Sequence, residues 1–339
     1  MKDLTLFLAP FSRLVDFGDP FSVLSMVAAL FCAVVFLRHS MTGSLQARAS
    51  VIIHKVFATE SIESRSFRLD LKLFVFNSVI FAAAAAWLNF SEPMWRASTY
   101  DAVAAILGGH EAVENGATWS KILITLVGFL AAEAGFWLAH WLCHEIPLFW
   151  RFHQLHHSAP VMTPFTALRQ HPIEIILFIV VVGAFVGTGE ALLVATLGTR
   201  GAAIDCFGVN VFLFLYFLTL QHFRHSPLWM PLQGWTGCLL QSPAHHQLHH
   251  SRAEASQHSN LGFALATFDW LFGTLELPTG KQVTAFGTTP EAGQIDGLWE
   301  ACFAPITRKD LVELILCKGK SALSSILTRL VRDRTNGMR

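Results

Sequence analysis

The phrase HQLHHS occurs twice in this chain, at 153–158 and again at 246–251. Each copy holds histidines at i, i+3 and i+4: His153, His156 and His157, then His246, His249 and His250. That spacing puts three imidazoles on one helix face. Two pairs have related spacing, His140 and His144 in HWLCH, and His222 and His225 in LQHFRHSPLW. Imidazoles one turn apart can converge on a metal ion at nitrogen distances of about 2.0–2.2 Å. At this histidine frequency one HxxHH arises by chance in about one chain of thirty, and two in on the order of one in a thousand. Ten histidines exceed the needs of one ion and match two ions with roughly four to six ligands each. Packed together without metal they would repel when protonated, or cost several kcal/mol when buried unpaired. A metal binds the neutral imidazole and removes both problems. A solvated histidine patch is the plainer alternative. His39, His54 and His110 stand alone and read as ordinary residues, and His245 points away from its box on a helix.

The elements that must position these residues are apolar. The chain has 339 residues, 53% hydrophobic and 14% charged, against about 25% charged in average soluble domains. Formal net charge is zero, so no electrostatic footprint for nucleic acid is present. The six cysteines are scattered without a CxxC and read as reduced. Apolar runs at 21–37, 71–90, 122–141, 173–197 and 204–220 are candidate bilayer spans. Gly189 and Glu190 interrupt the fourth, which is expected to end near Thr188 with a re-entrant piece after it. The fold class expected is all-α, an integral membrane bundle of about four to five spans with a cytoplasmic helical cap carrying a histidine-rich dinuclear site.

Basic residues orient the spans. The first loop carries Arg38, Arg48, Lys55, Arg65, Arg68 and Lys72, the second only Arg96, with Lys121 at its edge. The first loop is then cytoplasmic, and counting spans puts both dense clusters, 140–171 and 222–258, on the cytoplasmic face. Residues 1–120 form an N-terminal membrane region with two spans, 121–278 the histidine-box domain, and 279–339 a cytoplasmic tail. Residues 280–300 read as loop, 308–334 as a surface helix, and Arg329, Arg332, Arg334 and Arg339 form a basic cluster agreeing with that orientation. Ligand type alone leaves the metal open among zinc, copper, iron and nickel.

The ordered phrases HWLCH, FHQLHHS, TALRQHPIE, SPAHHQLHHS and NLGFALATFDWLFGTLELP resemble the fatty acid hydroxylase / sterol desaturase superfamily of integral membrane oxygenases, over about residues 125 to 278. The resemblance implies a non-haem centre of two iron ions, O2 as co-substrate, and hydroxylation or desaturation of a membrane lipid. It implies metal ligation by His140, His144, His153, His156, His157, His246, His249 and His250, with His222 and His225 as an intermediate element. It adds His171 and Glu174 in HPIE, of which His171 is a possible ligand. His258, Asn260 and Asp269 are further candidates to orient ligands by hydrogen bonds. No haem or flavin module is visible, so a separate electron donor is implied: a ferredoxin, a cytochrome b5 or a reductase. Zinc can fill such a site in recombinant protein. A zinc-dependent lipid hydrolase or isomerase, with Glu145 or Glu174 as general base, stays as the alternative. A metal transporter is a third, disfavoured because its ligands belong near the bilayer midplane rather than at span ends.

Overall fold

The computed structural model describes residues 2–39, 43–87, 91–108, 113–114, 117–253, 256–281, 283, 285–288, 295 and 297–307. The tail helix and basic cluster expected beyond 307 lie outside the described residues. The chain is mostly helical. Its helices include α1 (Val23–Phe36), α2 (Arg65–Trp87), α3 (Glu92–Leu107), α4 (Thr118–Glu145), α5 (Pro147–His157), α6 (Pro172–Leu197), α7 (Val211–Thr219), α8 (Pro243–His249), α9 (Thr267–Phe272) and α10 (Leu298–Thr307). Strands are confined, among the described residues, to two two-residue ladders. β1 (Val113–Glu114) pairs parallel with β2 (Thr199–Arg200), and β3 (Asp205–Cys206) antiparallel with β4 (Val209–Asn210).

Among the described residues two helices, α4 and α6, are long and apolar enough to cross a bilayer, against the four to five spans expected. Their 28 and 26 residues rise about 42 and 39 Å. α6 runs unbroken through Gly189 and Glu190 to Leu197, so the expected break near Thr188 is absent. α1 has 14 residues, about 21 Å, short of a hydrocarbon core of about 30 Å. The early turns of α2 carry Arg65, Arg68, Asp70 and Lys72. The fifth apolar run is not one helix. Phe207 and Gly208, both at positive φ, turn the β3–β4 hairpin, and the following α7 has nine residues.

The chain divides into two compact units. The first comprises residues 1–36, 78–139 and 176–222. Within it α1 packs on α7, and Phe129 and Phe212 stack with centroids 5.2 Å apart. A Cβ on Gly187 of α6 would collide with the Arg96 carbonyl of α3. Only glycine permits that helix crossing.

The second unit comprises 37–77, 140–175 and 223–339. Leu69, Leu73, Leu155, Ile295 and Ala301 form its apolar core. Beside them Arg169 is fully buried. Its Nη1 donates to Asp70 Oδ1 at 3.0 Å and its Nη2 to the Ile295 carbonyl at 3.1 Å. Its Nε donates to Ser158 Oγ at 3.1 Å and to the Leu155 carbonyl at 3.2 Å. One guanidinium therefore ties the end of α5 to α2 and to the segment entering α10.

Candidate metal centre

The two HQLHHS copies fold as short helices with proline at the first position, where the missing N–H costs nothing. Pro147 opens α5 and Pro243 opens α8. Ser242 caps α8: its hydroxyl accepts from the His245 N–H, and the His245 ring answers the Ser242 N–H. That cap occupies His245 and keeps its ring apart from the other histidines of the phrase.

Nine histidines gather in two buried groups, all in the second unit. His140, His144, His153, His157 and His249 form the first, and His156, His225, His246 and His250 the second. Within each group the ligand atoms lie within 4.8 Å of one another. The sequence phrases do not map one to one onto groups. In α5 the i, i+4 pair His153 and His157 joins the first group and His156 the second. In α8 the pair His246 and His250 joins the second group and His249 the first. On a helix i+3 and i+4 lie about 100° apart, so one turn can serve two centres.

The hydrogen bonds fix where the protons are. His140 Nδ1 lies 2.8 Å from the Leu261 carbonyl and His249 Nδ1 2.8 Å from the Ser259 carbonyl. A carbonyl only accepts, so both rings carry their proton on Nδ1 and leave Nε2 bare. His153 Nδ1 donates to Glu174 Oε1 at 2.9 Å. Yet His140 Nε2 and His153 Nε2 stand 3.1 Å apart, as do His153 Nε2 and His157 Nε2. The first of these contacts sets two bare lone pairs face to face. His144 Nε2 and His249 Nε2 are buried with no hydrogen-bond partner. A cation among these nitrogens resolves both the repulsion and the missing partners.

In the second group His225 Nε2 lies 3.2 Å from His156 and His250 Nε2 and 3.0 Å from His246 Nε2, and His246 and His250 Nε2 are 3.0 Å apart. Two nitrogens each about 2.1 Å from one ion stand about 3.0 Å apart at a right angle and about 3.4 Å at the tetrahedral angle. The observed spacings fall in that range. His246 differs from the rest. The buried Arg224 lies 2.8 Å from its Nδ1 through Nη2 and also donates to the Gly262 and Phe263 carbonyls. Arginine only donates, so neutral His246 holds its proton on Nε2, and ligation there requires that proton to leave. Among the described residues no carboxylate pairs with Arg224. Burial pushes the His153 and His156 imidazoles down to about 3 and holds His157, His225, His246, His249 and His250 well below the ordinary histidine range. All stay neutral at pH 7, as ligands must.

The remaining candidates have other roles. His222 joins neither group: its Nε2 faces Ser25 Oγ at 3.0 Å and its ring packs edge-on against Phe21. The helix Gln221–Arg224 is a single turn, and His225 lies just beyond it in the second group. His171 also joins neither group. Its Nδ1 accepts from the Ile173 N–H and its Nε2 donates to the Cys302 carbonyl at 3.0 Å, holding α10. Glu174 orients His153. His258 is half exposed, faces Glu145 Oε1 at 3.3 Å and packs its ring edge-on near His144, centroids 5.7 Å apart. Asn260 and Asp269 fix backbone around the site. Asn260 Nδ2 donates to the His245 and Glu276 carbonyls. Asp269 accepts from the Leu261 N–H and Gly262 N–H, each at 2.8 Å, and from Gln241 Nε2 and Thr274 Oγ1, each at 2.6 Å. The carbonyls of Ser259 and Leu261 and the guanidinium of Arg224 escaped the sequence reading. Arg224 sits inside QHFRH, but type alone does not separate a buried arginine from a surface one.

A family model described as fatty acid hydroxylase matches residues 125–274. This stretch of the chain is similar to the fatty acid hydroxylase family. It contains all nine clustered histidines, Glu174, Arg224 and the Asp269 clamp, and stops before Ile295 and Cys302. An ornithine lipid hydroxylase of Rhizobium tropici is 28% identical over 209 residues, 60% of this chain and 57% of its own length. Alkylglycerol monooxygenases of Danio rerio and Homo sapiens are 27% and 28% identical over 185 and 168 residues. Those matches cover 55% and 49% of this chain and 37% and 33% of the relatives. The chain thus spans between a third and just over half of the length of these relatives. No solved structure matches the chain.

Proposed function

We propose that the nine clustered histidines hold two iron ions, five around one and four around the other, in an O2-dependent oxidoreductase acting on a membrane lipid. The observation that carries this reading is the convergence of buried Nε2 nitrogens at 3.0–3.2 Å, with those of His140, His153 and His249 left bare by their Nδ1 hydrogen bonds. Two reduced irons, when bound, supply O2 activation and hydrogen removal from an unactivated C–H bond. This chain's residues do the rest. Glu174 and the Leu261 and Ser259 carbonyls hold the rings of His153, His140 and His249. Burial of the whole cluster keeps water from it. His222 and His171 are outside this ligand set. Hydroxylation is favoured over desaturation, since both kinds of relative are named as hydroxylase or monooxygenase, of ornithine lipid and of alkylglycerol. Electrons come from a separate ferredoxin, cytochrome b5 or reductase. The basic first loop favours the cytoplasmic face of the membrane for the site.

The test is to purify the full chain with iron supplied, measure metal per chain, and follow O2 uptake with a reductant and membrane lipid extract. Two irons per chain and uptake that needs both reductant and lipid are expected. Metal-free protein, or lipid turnover without O2 consumption, overturns the reading; the latter is the outcome a zinc hydrolase gives.

A further inference from the structure

Two short helices of the second unit, Gly234–Leu239 and α9, lie side by side. Backbone bonds stitch them: Ala266 N–H to the Leu239 carbonyl at 3.0 Å, and Gln241 N–H to the Ala264 carbonyl at 2.9 Å. Together they turn a ridge outward. Trp235 is 77% exposed, Trp270 64% and Leu271 65%, with Leu239 and Leu240 also exposed. Residues 231–241 contain no charged side chain, and between 261 and 275 only Asp269 is charged, fully buried. Beside the ridge runs a surface groove of about 730 Å³ whose mixed lining includes Trp270, Leu275, Glu276 and Leu277. At its edge Lys281 pairs with Glu276 at 2.8 Å and stays half exposed.

We propose that this ridge docks on the lipid surface, with Trp235, Trp270 and Leu271 seated at the boundary between headgroups and acyl chains and Lys281 meeting lipid phosphate. Each helix has six residues, about 9 Å of rise, so the ridge enters the interface and does not cross it. Two tryptophans on an apolar crest match the preference of indole for that boundary. Lys281, half exposed beside the crest, is a single cation paired with Glu276, and its remaining N–H groups can turn to lipid phosphate. The inner side of the same segments frames the metal centre: Asp269 clamps Leu261 and Gly262, and Gln241 leads into the cap of α8. The lipid surface is thereby held against the frame that orients His140. This inference goes beyond the oxygenase reading and does not depend on which metal is bound.

The experiment uses the full chain reconstituted in phosphatidylcholine–phosphatidylglycerol vesicles. Emission of the W235F/W270F double variant is subtracted from that of the unaltered protein, isolating the two indoles. The difference signal is expected to be blue-shifted, quenched by lipid brominated in its acyl chains and spared by aqueous acrylamide. Quenching by acrylamide alone, or by neither agent as for a crest covered by protein, overturns the proposal. As a second readout, Leu271→Asp is expected to raise KM for vesicle-borne lipid while metal content stays unchanged. An unchanged KM counts against docking even if the oxygenase reading stands.

Discussion

At the scale of single residues, each HxxHH shares its imidazoles crosswise, the i, i+4 pair to one group and the i+3 member to the other. Replacing His249 with alanine should therefore empty the first group and spare the second, and His156→Ala should do the reverse. Each variant is expected to hold about one iron per chain and to lose turnover, read by metal analysis and O2 uptake. The exposed His54 is the control, and His54→Ala should change neither. Protonation offers a second check. Burial holds His153 and His156 near 3, against 6.5 in an unfolded chain. Between those values the unfolded chain binds protons that the folded one excludes. Stability of the metal-free protein should then fall as pH drops below 6.5, by up to about 1.4 kcal/mol per pH unit for each such histidine. Thermal midpoints above and below that pH test it; a midpoint that does not move, or rises, contradicts the burial.

At the scale of elements, the centre depends on a loop with no ligand in it. Asp269 holds Leu261 and Gly262 in place, and the Leu261 carbonyl holds His140. In Asp269→Asn an amide replaces one acceptor and leaves a buried N–H unmatched, at a cost of about 1–3 kcal/mol. Iron affinity of the first group should drop about 10–100-fold, with the second group affected less, as metal titration would register. A Cβ on Gly262 would collide with the Leu265 carbonyl, so Gly262→Ala should unfold this loop outright, visible as protease sensitivity. The clustering was legible in the sequence because i, i+3, i+4 spacing is local, and nine of the ten boxed histidines do gather into the two groups. The division into groups was not, since it depends on how α4, α5 and α8 pack. His222, placed by resemblance in an intermediate element with His225, joins neither group, because the chain makes a single turn there and its ring meets Ser25 instead. The apolar run at 204–220 hid a hairpin, since Phe207 and Gly208 turn a stretch whose composition alone looks like a span.

At the scale of the whole molecule, comparison of cellular lipids with and without the gene should reveal one lipid class gaining a hydroxyl only when the protein is present. Loss of that product in the His249→Ala strain ties it to the centre. The brace around Arg169 carries a further consequence. A nascent chain that has just emerged to His250 already holds every clustered histidine. It still lacks the Ile295 and Cys302 carbonyls that receive Arg169 and His171. The second box is thus fixed only after translation has passed the last clustered histidine by about fifty residues, and a chain terminated at residue 290 should reach the cell with its full set of imidazoles and little iron.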